Sequence, residues 1–503
     1  MTPTPMTGSA VRYTDRTTVP AADLRAWLLC EDPERLATRH LALAAVFLAC
    51  AIAAALPLRL ELLTPRLDVL GARTFGALLS LHGTLMFYFV AMPLFPGVLG
   101  YALVPEALGV RTMAFPRLMS LSWCLLAAGG ATVLAGFAAG GCEVGWTFDA
   151  EFGGRFSAVG VLPMASGVFM AAAASVVMSV NFVATIVQSR RVVTADRVMP
   201  PLVSSLLFSS VGALVAAPFL ACCTLLVALD SLGWTSLFDP ASGGDPLLFK
   251  TLFILFVSPA KSMILVAALG TVAAVVSART SGTRAAARDR GTNRALALLT
   301  VAGLAAWGGT QTSPAIGVAA QDLSFVSCAV AVVAAGSIVV RTVAGMRRGI
   351  TRIDAAMVYA FGFLAMAVPV LGCALALALP ATRTLLGNTT FATGQLHLLM
   401  IAALVMAFLA GLHEVWPRMT GRGFADRLAC GAALAILVGT ALSFGPSLLM
   451  GLKGASFRAN EYPPEFQVLQ VLSSAGMTIL VAAVIVASAN LLLASRSGEA
   501  RSE

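Results

Sequence analysis

Two histidines stand inside apolar stretches of this chain. His82 sits in Leu81-His82-Gly83-Thr84-Leu85-Met86-Phe87, and His397 closes Thr389-Thr390-Phe391-Ala392-Thr393-Gly394-Gln395-Leu396-His397. A neutral imidazole offers one lone pair to a metal and is a good axial ligand for haem iron. Polar side chains in an apolar, membrane-type environment are expensive and usually functional. A lone histidine there can equally be a hydrogen-bonded packing residue, and residue type alone leaves both readings open. A third polar intruder is Lys261, in Ser258-Pro259-Ala260-Lys261-Ser262. Its charge costs about 2.5–3.5 kcal/mol on insertion scales. Either it is neutral or paired, or it supplies a cation to a cavity. The other two histidines, His40 and His413, fall near helix ends and read as interfacial.

These residues must be positioned by membrane spans. The chain has 503 residues, 58% of them hydrophobic and 11% charged, with mean hydropathy +0.89. A span needs about 20 apolar residues, and a soluble domain could not hide this much apolar surface. Apolar runs at 37–58, 75–104, 117–140, 157–187, 200–230, 247–277, 294–313, 323–343, 354–380, 391–416, 427–450 and 468–494 predict an all-α polytopic bundle of twelve helices. A Pro/Gly-rich segment after His82 (Met92-Pro93, Pro96-Gly97, Gly100, Pro105) reads as a turn leading to Met113-Ala114-Phe115-Pro116-Arg117. Residues 1–34 and 496–503 read as polar tails around a transmembrane unit at 35–495.

Arginines cluster in alternate connections, for example at Arg190-Arg191, Arg279 to Arg294, Arg341 to Arg352 and Arg418 to Arg427. Acids such as Glu143, Asp230 and Glu461 occupy the intervening ones. An even number of spans with both termini cytoplasmic satisfies the positive-inside rule. The net charge of +9 is thus a topology signal, and no nucleic-acid partner is expected. The nine cysteines form no C-x-x-C pair, which removes covalent haem, zinc and thioredoxin-type chemistry. Duplicated halves are not evident, so an inverted-repeat transporter gains no support.

The segment from Leu81 to Leu118 resembles the second helix and following loop of subunit I of the haem–copper oxidases. Further fragments match that family in order. They are Arg59-Leu60-Glu61 at the end of the first helix, Gly145-Trp146-Thr147, Asn181-Phe182, Thr185-Ile186, Phe238-Asp239-Pro240, Gly243-Gly244-Asp245-Pro246, Trp416-Pro417 and Tyr462-Pro463. The resemblance implies that His82 and His397 bind one low-spin haem of type a or b. It places Arg59 and Arg458 beside that haem; Arg59 is equally readable as a snorkelling interfacial anchor.

The same resemblance exposes losses. Gln395 stands where the high-spin haem ligand is implied, and a carboxamide is a poor ligand for haem iron. Where the family carries H-P-E-V-Y, this chain has Ser258, Pro259, Ala260, Lys261 and Ser262. Where it carries a His-His pair after tryptophan, this chain has Trp307-Gly308-Gly309. Hydroxyls and glycines cannot replace imidazoles at copper, so no copper is expected. Thr112 and Gly387-Asn388 replace further family acids and ligands, and Phe457 replaces one of two propionate-contacting arginines. The resulting expectation is a subunit I-like electron-transfer protein of a bacterial inner membrane. Its implied partners are subunits like II and III, with cytochrome c or a quinol as electron donor. An active terminal oxidase, a haem-free structural or assembly subunit, and a transporter are the alternatives.

Overall fold

The computed structural model describes residues 30–66, 69–148, 159–192, 198–238, 242–280, 285–306, 318–347, 349–421, 423–457 and 459–494. The outer parts of both polar tails, Trp307, Gly308, Gly309 and Arg458 lie outside the described residues.

The helices follow the apolar runs closely. They are α1 (Pro33–Glu61), α2 (Ala72–Leu108), α3 (Pro116–Ala138), α4 (Val161–Val192), α5 (Pro201–Ser231) and α6 (Pro246–Ala278). Then come α7 (Ala285–Ala305), α8 (Val318–Met346), α9 (Ala355–Ala378), α10 (Thr390–Thr420), α11 (Asp426–Leu452) and α12 (Gln467–Ala494). Eleven helices among the described residues are long and apolar enough to cross a membrane. The exception is α7, whose first three turns carry Arg288, Asp289, Arg290 and Arg294. It nonetheless packs against α5, α6 and α8 as the seventh member of the bundle. The apolar run at 294–313 therefore misplaces this helix by about nine residues, because its first turns are polar.

Helix starts follow local chemistry. Asp32 and Asp245 each accept a backbone N–H in the first turn, with proline at the first helical position of α1 and α6. Asp354 and Thr389 cap α9 and α10 in the same way. Gly109 and Gly421, at φ 69° and 68°, end α2 and α10 in the left-handed conformation that a side chain disfavours.

The expected turn after His82 is not a turn. The helix continues through Pro93, Pro96 and Pro105, with π-helical turns at Leu85–Ala91 and Phe95–Gly100. Proline removes a donor and its ring crowds the carbonyl four residues back; a wider turn relieves the clash without breaking the rod. The chain reverses only at Gly109.

Small residues let helices approach. A Cβ on Gly167 of α4 would lie 2.5 Å from the Gly129 carbonyl oxygen of α3. Gly476 of α12 similarly lies against the Ser443 backbone of α11. Such contacts suit a bilayer, where close packing rather than water exclusion drives helix association.

Candidate functional site

His82 of α2 and His397 of α10 face each other across the bundle, 315 residues apart in sequence. Their ring centres are 6.3 Å apart and their planes are within 8° of parallel. His82 Nδ1 donates to the Ala51 carbonyl of α1 at 2.9 Å, and His397 Nδ1 donates to the Thr393 carbonyl at 2.8 Å. A carbonyl can only accept, so Nδ1 carries the proton in both rings. Nε2 is then the lone-pair nitrogen of each neutral imidazole. Fixing the tautomer through the far nitrogen is how protein ligands to metals are oriented.

The spacing is chemically specific. An imidazole nitrogen binds a transition metal at about 2.0 Å, with the ring centre roughly 1.2 Å behind it, so two axial imidazoles on one metal have centres about 6 Å apart. The observed pair fits that separation. The donor set also suits haem iron, which accepts imidazole at both axial positions.

The surroundings of the pair are built from several elements. Arg59, at the end of α1, donates to Ser473 Oγ of α12 at 2.9 Å, and its charge acts on both imidazoles. Phe444 of α11 lies flat against His397, with ring centres 4.8 Å apart. On the other side the loop after α3 braces α2. Gly145 N–H donates to Ser80 Oγ at 2.9 Å, and Tyr88 Oη donates to the Trp146 carbonyl at 2.9 Å. The Trp146 ring lies against Gly83, where a Cβ would come within 2.6 Å of Cδ1. Gly83 is therefore the small residue that admits this brace next to His82.

The start of α10 is tied to the loop before α12. Thr390 N–H donates to the Ala455 carbonyl at 2.9 Å, Phe457 N–H donates to the Asn388 carbonyl at 3.2 Å, and Thr390 Oγ1 donates to the Ser447 carbonyl of α11 at 2.9 Å. Tyr462 reaches back to the end of α1, donating through N–H to Pro65 and through Oη to Leu62. The Tyr-Pro motif is thus a clasp between α1 and α12.

The other predicted positions are arranged differently. Ser258 of α6 donates to the Ala306 carbonyl at the end of α7, at 3.2 Å, and Ser324 of α8 donates to the same oxygen at 2.6 Å. Ser262 packs on Gly303 of α7, where a Cβ would come within 2.4 Å of the Ser262 Cβ. Gln395 is buried on α10. Among the described residues, no three His, Cys, Asp or Glu side chains converge into a metal-binding group. Lys261 is half-buried on α6, and the ionisable groups acting on it are Cys328 of α8 and Arg383. Arg383 belongs to a short helix, Pro380–Leu386, and donates to the Leu377 and Ala378 carbonyls at 3.0 Å each.

His40 and His413 are covered by protein. Both are buried, at 4% and 3% exposure. Each donates through Nδ1 to the carbonyl four residues earlier, Leu36 and Leu409. His40 fits because Gly97 leaves room, and His413 is held between Tyr359 and Phe424.

One charged cluster has no signature in the sequence, where Arg279 reads only as a topology signal. At the end of α6, Arg279 makes a bidentate pair with Asp354 of α9 (2.8 and 2.9 Å) and a further bond to Glu414 of α10 (2.7 Å). Arg352 joins Asp354 at 3.0 Å, and Arg418 links Glu414 to Glu106 of α2. Asp354 and Glu414 lie 75 and 135 residues away, so no local pattern announces them.

The bundle defines a polytopic membrane protein in which His82 and His397 are brought together. The sequence model of the family described as Cytochrome C and Quinol oxidase polypeptide I matches residues 35–479, and the chain belongs to that family. It is 26% identical over 472 residues to the cytochrome c oxidase subunit 1 of Thermostichus vulcanus, covering 93% of this chain and 84% of that protein. It is 25% identical over 481 residues to the subunit 1 of Bacillus subtilis, covering 94% and 76%. A solved structure described as a heme-copper terminal oxidase dimer shares the fold, with a TM-score of 0.78 at 14% identity over 93% of this chain and 85% of that one. The family implies haem as a cofactor.

Proposed function

We propose that this chain is a subunit I-like protein that retains one low-spin, bis-histidine haem site for electron transfer and lacks a site for oxygen reduction. The observation that carries this reading is the His82–His397 pair, with centres 6.3 Å apart and both Nδ1 atoms committed to carbonyls. His82 and His397 would hold a haem there, and it would supply reversible one-electron transfer. Ala51 and Thr393 orient the imidazoles, and Arg59 keeps a positive charge beside them. In this reading Arg458 serves the same haem from the loop before α12.

The second half of the reading rests on residue chemistry. Gln395 is a poor iron ligand, and Ser258 has turned its hydroxyl to the Ala306 carbonyl. Ser262 fills the groove at Gly303, and Gly308 and Gly309 have no donor side chain. These residues do not fit copper. Lys261 is assigned the role of placing a cation in the region that copper would otherwise occupy. The protein is placed in a bacterial inner membrane with both termini cytoplasmic. Subunits like II and III are its partners, and cytochrome c or a quinol is its donor.

The test is haem extraction with reduced-minus-oxidised spectra of the purified protein, His82→Ala and His397→Ala. One low-spin haem per chain, unreactive to carbon monoxide and lost in both variants, is the expected result. Two haems with carbon monoxide binding would overturn it in favour of a terminal oxidase. Absence of haem would leave a structural or assembly subunit.

A further inference from the structure

The ends of α7 and α8 interlock through arginines lying on glycines. Arg341 of α8 lies on Gly291 of α7, where a Cβ would come within 2.6 Å of Nη1, and Arg288 of α7 lies on Gly345 of α8. Arg288 is further held by Ser277 and Thr280 from the end of α6. Arg341 therefore reaches the side of α7 that carries Arg294, one turn from Gly291. Arg290, Arg294, Arg341 and Arg347 are all exposed. Among the described residues, the acid on these two helix ends is Asp289, which is 4.0 Å from Arg288.

The surface next to these arginines is apolar. On α7, Arg294, Leu298 and Val301 follow at spacings of four and three, which puts them on one face. On α8, Val326, Val333, Val340 and Arg347 follow at spacings of seven, again one face. Val333, Val340 and Val301 are 70%, 66% and 64% exposed. Two exposed apolar stripes therefore both end in guanidinium groups.

We propose that this face binds an anionic phospholipid. The arginine head group takes the phosphate through charge-assisted, bidentate hydrogen bonds, and the valine and leucine stripes take the acyl chains. The excess of positive charge selects an anionic lipid over a zwitterionic one. The continuous apolar stripes favour a lipid over a free phosphate ion.

The experiment uses the full-length protein in detergent, with phosphatidylglycerol or phosphatidylcholine added and bound lipid counted by native mass spectrometry. The wild type should retain phosphatidylglycerol in preference. A triple variant, Arg290→Gln, Arg294→Gln and Arg341→Gln, should weaken that retention by about tenfold or more. Arg117→Gln, an exposed arginine at the start of α3, should leave it unchanged. An equal affinity for both lipids, or the same effect in Arg117→Gln, overturns the proposal. Full displacement by excess inorganic phosphate also overturns it, since the site would then be one for a free anion. A wild-type measurement covers poor folding of the triple variant. Photocrosslinking phosphatidylglycerol should label peptides of α7 and α8, and labelling confined to other helices refutes the assignment. An acidic segment of a partner protein that blocks this labelling in the native membrane would refute it too.

Discussion

Asp354→Asn isolates what the buried arginine cluster does. Asparagine caps a helix about as well as aspartate, so the start of α9 keeps its bond from Met357 N–H. What is lost is the negative charge facing Arg279 at 2.8 and 2.9 Å and Arg352 at 3.0 Å. Stranding one member of a buried pair costs about 3–5 kcal/mol. Glu414 still bonds Arg279 at 2.7 Å, so the low end, about 3 kcal/mol, is expected. Thermal unfolding in detergent should then fall by on the order of 5 °C.

The sign with pH follows from Asp354 itself. Burial pulls its carboxyl up, but the hydrogen bonds and charge of Arg279, with Met357 N–H and Arg352, outweigh burial and hold it below the ordinary carboxylate value. Its stabilisation is present above the unfolded value near 3.9 and is lost as pH falls through the folded one. The gap between wild type and variant should therefore be constant from about pH 5 to pH 8 and close below about pH 4. Adding Arg279→Met should recover most of the loss, because no buried cation is left unpaired. The haem spectrum should be unchanged at rest, since Glu414 lies about 25 Å along α10 from His397 at 1.5 Å per residue. A single variant as stable as wild type, or a double variant no better than the single, would refute the reasoning.

Gly83→Ala drives a Cβ to 2.6 Å from the Trp146 ring beside His82. It should destabilise by about 1–3 kcal/mol and lower the haem content per chain, read by pyridine haemochrome assay. Arg59→Gln removes the positive charge that acts on both imidazoles. The haem midpoint potential should drop by on the order of tens of millivolts, while Ser473→Ala, which keeps the charge, should shift it far less. Asn181→Ala breaks both bonds to Phe115, which are 2.9 and 3.0 Å long. Leaving these backbone groups unpaired costs about 1–3 kcal/mol each, and faster amide exchange at residues 113–115 is the readout.

The bundle was legible because span length and hydropathy are local properties, and eleven of the twelve runs coincide with helices within a few residues. The seventh was displaced because Arg288, Asp289, Arg290 and Arg294 make its first turns polar while tertiary packing still completes the helix. The run at 75–104 marks the span of α2, but Pro93, Pro96 and Gly97 inside it signal a turn that the wider helical turns absorb. His82 and His397 were found by residue type and resemblance. Their orienting partners were not, because Ala51 contributes only a carbonyl and Ser473 is 414 residues from Arg59. The burial of His40 and His413 is not legible, because position near a helix end says nothing about the neighbours that cover it, here Gly97, Tyr101, Tyr359 and Phe424.

On the proposed reading, the arrangement accounts for one site being kept while another is lost. Gln395 and His397 are two residues apart on α10, so they project to different sides of the helix. The backbone that carries both is fixed elsewhere, by the clasp at Thr390 and Ala455 at one end and by Glu414 on Arg279 at the other. In that reading Gln395 in place of an inward ligand, and Ser258 bonded to the Ala306 carbonyl in place of an α6 ligand, leave those anchors intact. His82 and His397 are coupled in the opposite sense. Losing either would remove one of the two imidazoles that would hold a haem there, while the fold gains nothing in exchange. Selection for electron transfer alone would therefore hold the His82–His397 pair and release the rest, and a fold retained for scaffolding alone would have no reason to keep two imidazoles at metal-bridging distance.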